Sequence, residues 1–256
     1  MSGPSLRSGR ILSPVRDLGR AVVFLGQAVS RMRFRSGTLG ETLRQTYFIG
    51  VRSLVIIMTC GFFVGLVLTL QTYDTLTRFG AGDAVSTVLA LSLFRELGPV
   101  LTAILFAGRA GTSVTAEIGL MKATEQLDAL ELMAIDPMER IVQPRLLAGL
   151  IAVPVLTLVF NLMALAGGVA YSVYLMGVDP NVFWGTMQSS VELGRDFGAG
   201  MAKSVAFGGL AAWLAVFFGW TCRPTGEGVA LATTQTVIAT AISVLLLDFV
   251  LSALML

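Results

Sequence analysis

Four ionisable residues sit inside long apolar runs: Arg95, Glu96, Lys203 and Asp248. A charge at the bilayer centre costs about 2.5–3.5 kcal/mol, and it is kept where it faces a protein interior or a water-filled cavity. Arg95 and Glu96 are neighbours in sequence. On a helix they point about 100° apart and cannot pair as i,i+4 residues do. Each needs another partner: a different helix, a second subunit, water or a charged ligand. Leu97-Gly98-Pro99 follows directly. Proline removes a backbone donor and promotes a break at mid-span, where transporter sites often lie. Two readings stand. One is a cavity that handles a charged head group; the other is an interhelical ion-pair network. Lys203 and Asp248 can pair with each other or with Arg95 and Glu96.

Residue types exclude other chemistries. The chain has no histidine, which removes His-based triads, metal sites and proton relays. Cys60 and Cys222 lie far apart, in or beside apolar runs, and form no CxxC pair. Both read as buried free thiols. No GxxxxGK(S/T) loop is present, so the chain has no Walker A site for ATP. No acids stand paired at ligand spacing. The reading is no catalytic residue, no metal and no cofactor in this chain.

The elements that carry these charges follow from composition. Of the 256 residues, 55% are hydrophobic and 13% charged, with a mean hydropathy of +0.79. A soluble domain carries about 25% charged residues. This chain cannot supply a charged skin and reads as an integral membrane protein. Uncharged or nearly uncharged runs place spans at about 53–73, 84–108, 146–176, 197–221 and 229–253. Runs of this length without short alternating segments imply helices rather than barrel strands. The third run, 33 residues from Leu146 to Val178, exceeds the ~20 residues one span needs. Tilt, protrusion or a bend at Pro154 or Gly167-Gly168 would absorb the excess. Gly61-Phe-Phe-Val-Gly65 is a GxxxG that permits close helix approach, a common and weak signal.

Residues 1–50 form a basic N-terminal segment before a transmembrane domain over 51–256. Nine of the 18 basic residues fall within the first 52, opposed by Asp17 and Glu41. Val15, Leu18, Val22, Leu25, Val29 and Met32 recur at helical spacing, with Arg16, Arg20, Gln27 and Arg31 on other faces. A basic amphipathic helix of this kind lies in the membrane interface; packing on a partner is the alternative. Basic residues concentrate in 1–52, 109–145 and about 222–228. The positive-inside rule makes these segments cytoplasmic, with the N-terminus inside and the C-terminus outside.

Two loops carry helix signals. In 109–145, Thr124 reads as an N-cap, Glu125 and Asp128 occupy a first turn, and Asp136-Pro137 marks a stop. The result is a cytoplasmic helix at about 125–135, with Leu127, Leu130 and Met133 or Ala134 on one face. It either caps the bundle or docks a soluble subunit. On the opposite side, Asp179-Pro180 starts a short periplasmic helix. Phe183, Trp184, Met187 and Val191 fall near one face, with Trp184 at head-group depth. The fold class is therefore all-α: an interfacial amphipathic helix, five transmembrane helices, a short cytoplasmic helix and a short periplasmic helix.

Several of these residues carry a resemblance. Arg95-Glu96-Leu97-Gly98-Pro99 through Ala107-Gly108-Arg109, Ala116-Glu117-Ile118-Gly119 with Met121, Glu125-Gln126-Leu127-Asp128-Ala129-Leu130, and Pro144-Arg145 closely resemble the MlaE/YrbE permease family. The resemblance implies the permease subunit of an ABC transporter in the bacterial inner membrane. Such a transporter moves phospholipids between inner and outer membranes and maintains outer-membrane lipid asymmetry. It implies a homodimer, an MlaF-like ATPase that binds the ATP, an MlaB-like STAS-domain protein and a hexameric MlaD-like MCE protein. It places ATPase coupling at residues 125–135, drawing on Glu125, Gln126, Leu127, Asp128, Leu130 and Met133. It places a lipid pocket between the permease subunits, lined by Leu68, Leu76, Phe79, Arg95, Glu96 and Leu97. At Phe79 the side chain lacks the hydroxyl by which a tyrosine would hydrogen-bond a head group. Outside this class stand a membrane enzyme, which lacks its nucleophile, base or metal, and a structural anchor for a membrane complex.

Overall fold

The computed structural model describes residues 13–30 and 36–255. Among them every regular element is helical. Five segments are long and apolar enough to cross a membrane: Gly40–Arg78, Gly82–Ala123, Met138–Leu175, Gly194–Thr221 and Gly226–Met255. They match the five expected spans, but most overrun them.

Helix α1 covers Ser13–Ser30 and α2 covers Ser36–Arg78. At 1.5 Å per residue α2 is about 64 Å long, twice the thickness of a hydrocarbon core. It runs unbroken through residues 50 and 51. The second span is a relay of helices α3 (Val85–Ser92), α4 (Gly98–Phe106) and α5 (Thr112–Ala123). Wide π-helical turns at Leu93–Leu97 and Ala107–Gly111 join them. A short helix α6 (Gln126–Leu132) follows, then α7 (Gln143–Val169), α8 (Pro180–Ser190), α9 (Gly198–Thr221) and α10 (Gly226–Met255).

Several expectations need correction. The segment 109–145 is not mainly a loop, because helix continues to Ala123 and resumes by Met138. Charged residues such as Glu117 and Lys122 end the apolar run without ending the helix. The loop helix is shorter than 125–135. Thr124 is not its cap: its hydroxyl donates back to the Leu120 carbonyl at 2.9 Å. Glu125 takes the N-cap position in a left-handed conformation, φ +58°. The third span stays helical past Pro154, and its irregular turn lies at Ala170–Leu175.

Small residues explain the packing around α7, which lies between α2 and α9. A Cβ at Gly65 would overlap the Ala164 carbonyl, and one at Gly167 would overlap the Phe62 carbonyl. A Cβ at Gly149 would collide with the Ala212 side chain. The GxxxG is therefore a contact motif between α2 and α7, and Gly167 packs against α2. Threonines tie the far side together. The Thr115 hydroxyl lies 2.9 Å from both the Ala215 carbonyl and the Thr236 hydroxyl, linking α5, α9 and α10.

Helix α1 docks on α9 through a face beside the stripe expected to meet the membrane. Ala21, Phe24 and Ala28 are buried, whereas Val22 and Val23 are exposed. Phe24 packs against Phe217 and Trp220, and the Trp213 indole N–H donates to the Ala21 carbonyl at 3.1 Å. Arg20 is exposed. Met32, Arg7, Arg10, Arg31, Arg33 and Arg35 lie outside the described residues, as do the side chains of Val15, Arg16, Leu18 and Val29. Asp179 caps α8 as expected, accepting from Asn181 N at 2.7 Å. The apolar face of α8 splits: Phe183 and Met187 are buried, and Trp184 is exposed.

Candidate functional site

The wide turn at Leu93–Leu97 builds the site. Pro99 has no N–H to give the Phe94 carbonyl at the π spacing, so the chain there is loosened rather than broken. The freed carbonyl points at Gly200 near the start of α9, where a Cβ would overlap it. Only glycine allows this approach. Phe94 and Phe197 then meet edge to face with ring centroids 5.9 Å apart. This contact brings the turn before α9, Leu193–Phe197, against Arg95.

The partner of Arg95 is Asp196. Arg95 Nε and Nη2 both donate to Asp196 Oδ1, at 2.8 and 2.5 Å. Asp196 Oδ2 accepts from Glu192 N at 2.9 Å. Asp196 is 2% exposed, while the Arg95 side chain is 49% exposed. The carboxylate is therefore fully committed, and the guanidinium keeps an open edge. Sequence reasoning missed Asp196 by assigning it to a loop. The available signal was an acid immediately before an apolar run, where a helix N-terminus favours it.

Lys203 and Asp248 pair with each other. Lys203 Nζ donates to Asp248 Oδ1 at 3.0 Å and to Ser252 Oγ at 2.6 Å. Lys203 is buried on α9, and the bond fixes α9 to α10. Glu96 is exposed and has no hydrogen-bond or ionic partner among the described residues. A cavity of about 170 Å³ opens between these elements. Its lining includes Arg95, Glu96, Arg195, Asp196, Lys203 and Ser252. Two of its cations are matched by carboxylates. Glu96 remains without a partner among the described residues, and Arg195 makes no ion pair there, although it lies near enough to Asp196 to act on it electrostatically.

Of the expected lipid-lining residues, the cavity includes Arg95 and Glu96 but not Leu68, Leu76, Phe79 or Leu97. Leu68 and Leu97 pack partly against the core. Leu76 is half-buried near the end of α2, and Phe79, just beyond it, is 80% exposed. Within one chain these six residues do not form one pocket.

The α6 region lies toward the other end of the second span. Leu127 is buried and Leu130 half-buried, which seats α6 on the bundle. Glu125, Gln126, Asp128 and Met133 are exposed, and Leu132 is 89% exposed. Asp136 starts the next helix by accepting from Met138 N at 2.9 Å. Lys122 donates to the Trp220 and Cys222 carbonyls at 2.7 and 3.0 Å, closing the end of α9. Cys222 is a buried free thiol, and burial pushes its pKa up. Cys60 is also free but only half-buried. Among the described residues no group of His, Cys, Asp or Glu could hold a metal ion.

Comparison with known proteins places this arrangement. The Permease MlaE family model matches residues 42–254. The chain belongs to the MlaE permease family. It is 46% identical over 247 residues to the intermembrane phospholipid transport system permease protein MlaE of Haemophilus influenzae, covering 96% of this chain and 94% of that one. A probable ABC transporter permease of Synechocystis is 37% identical over 84% of this chain and 81% of its own. The chloroplastic protein trigalactosyldiacylglycerol 1 of Arabidopsis thaliana is 32% identical over 94% of this chain and 69% of its own.

Proposed function

We propose that this MlaE-family chain is the permease subunit of an ABC transporter that moves phospholipids between the inner and outer bacterial membranes and so maintains outer-membrane lipid asymmetry. The observation that carries this reading is the charge pattern of the Arg95 cavity. Arg95 is held by Asp196 but keeps an open edge, Glu96 has no partner among the described residues, and Arg195 lines the same cleft without an ion pair there. Opposite charges in one cleft suit a head group bearing a phosphate and an amine. The Haemophilus relative is named for phospholipid transport, and it spans nearly the whole chain.

The rest of the reading follows from what is exposed. Two copies pair so that the lipid lies between them, with Leu68, Leu76, Phe79 and Leu97 lining its acyl chains. The apolar face of α10, which includes Leu246, Phe249 and Leu254, is exposed in a single copy and suits such a contact. An MlaF-like ATPase hydrolyses ATP and docks on α6 through Asp128 and the exposed Leu132. MlaB-like and hexameric MlaD-like subunits complete the assembly on the cytoplasmic and periplasmic sides. The α6 end is cytoplasmic, because it carries Arg44, Arg52, Arg109, Arg140 and Arg145, whereas the α8 end carries Arg78 and Arg195.

The test is Glu96→Gln in the intact complex. Glu96 has no partner to lose, so stability stays within about 0.5 kcal/mol of the native chain. Lipid transfer between vesicles is expected to fall, and mass spectrometry is expected to find fewer co-purified phospholipids. A variant that transports and retains lipid normally would favour a structural anchor instead.

A further inference from the structure

The cavity richest in arginine lies far from Arg95, and the transport reading assigns it no ligand. It has a volume of about 650 Å³ and sits between the N-terminal part of α2, α5, α6 and the start of α7. Arg95 and Arg109 are 14 residues apart along the second span, about 21 Å on a helix. Five arginines line this cavity: Arg44, Arg52, Arg109, Arg140 and Arg145. Only two carboxylates do so, Glu41 and Glu117. Both acids are spent. Glu117 pairs with Arg145 at 3.1 Å, and Glu41 lies 3.8 Å from Arg44. Arg52 stacks on the Phe48 ring, 4.6 Å from its centroid, and faces no acid. Arg109 is half-buried and Arg140 exposed, and neither guanidinium has a partner among the described residues. Three cations therefore share one cavity without a counter-charge.

We propose that this cavity is a second site, one that binds a phosphate group, and that its occupant is the head group of an anionic phospholipid in the adjacent leaflet. Guanidinium groups bind phosphate oxygens in pairs and stay charged when partly buried. The wall also carries Phe48, Ile49, Val114 and Leu130, which suit the apolar shoulder of a lipid. Depth favours a lipid over a soluble anion. Beside the arginines, α2 exposes Leu43, Tyr47 and Val51, the mixture that lies at head-group level. Gln126, Ala129 and Leu130 of α6 form part of the same wall. An occupied site would therefore touch the proposed docking helix.

The experiment uses the full chain in phosphatidylcholine micelles, without ATP, so its outcome does not depend on transport. Native mass spectrometry counts bound phosphatidylglycerol in the native chain and in Arg109→Gln/Arg140→Gln. Each basic residue near a lipid surface contributes about 1 kcal/mol, so retention is expected to fall by about tenfold or more in the variant. Arg140→Gln alone, at an exposed position, gives a smaller loss and covers the case in which the double variant misfolds. A parallel titration uses inorganic phosphate. Binding of phosphate alone, with the same loss in the variants, upholds the site and assigns it a soluble ligand. Equal phosphatidylglycerol retention by all three chains overturns the proposal. So does a variant that binds lipid normally but loses the soluble ATPase subunit, because the arginines then serve a protein contact.

Discussion

Removing one member of the Lys203–Asp248 pair should damage the protein far more than removing both. The Lys203 side chain is 4% exposed and that of Asp248 is 19% exposed. Lys203→Met leaves the Asp248 carboxylate without its cation. Asp248→Leu leaves a buried ammonium with only the Ser252 hydroxyl, 2.6 Å away. Stripping one partner from a buried pair costs about 3–5 kcal/mol, whereas apolar replacement of both is often neutral or stabilising. At about 2–4 °C per kcal/mol for a chain of this size, each single variant should lower the midpoint of thermal unfolding by about 6–20 °C. The double variant Lys203→Met/Asp248→Leu should return close to the native midpoint. The assay is the melting midpoint of the purified full chain in detergent, with size-exclusion recovery after heating as a second readout. The reasoning fails if the single variants melt like the native chain. It also fails if the double variant loses the sum of the two single losses, since the residues would then be uncoupled.

Two further perturbations separate packing from docking. Gly65→Leu should destabilise the chain by about 1–3 kcal/mol or block folding, because overpacking pushes α2 away from the Ala164 carbonyl; the melting midpoint and yield check this. Charge reversal at the exposed Asp128, as Asp128→Arg, should leave the melting midpoint unchanged and release the soluble ATPase subunit, and co-purification followed by ATPase assay checks it.

The spans were legible because lipid imposes a simple rule on composition, and gaps between charges reveal it. Helix ends were not, because no such rule governs where a helix stops outside the bilayer. Arg109, Glu117 and Lys122 end an apolar run but are good helix formers, so α5 continues. The Asp179-Pro180 start was legible because its signal is local: one side chain accepting from a backbone N–H two residues away. The start of α6 was not, since it rests on a left-handed Glu125 that nothing in the residue type favours. The contact of α1 with α9 was hard to read for a related reason. Periodicity locates an apolar stripe, but Ala21 and Ala28 are small, and Phe24 beside them meets the aromatic surface of α9.

Pairing among the intramembrane charges was the least legible feature, and it decides the site. Arg95 and Asp196 are 101 positions apart. They meet because Pro99 frees the Phe94 carbonyl and Gly200 lets α9 approach it. Neither residue announces this alone, and both are common in membrane helices. Once these contacts are drawn, the four charges no longer form an equivalent set. Lys203 and Asp248 are spent on joining α9 to α10. Arg95 is partly spent on Asp196. Glu96 has nothing to hold, yet its charge is costly so near the apolar core. Under the transport proposal, a carboxylate kept at that cost with no partner among the described residues would be matched by the ligand. This makes Glu96, rather than the better-connected Arg95, the sharper probe of what the cavity binds.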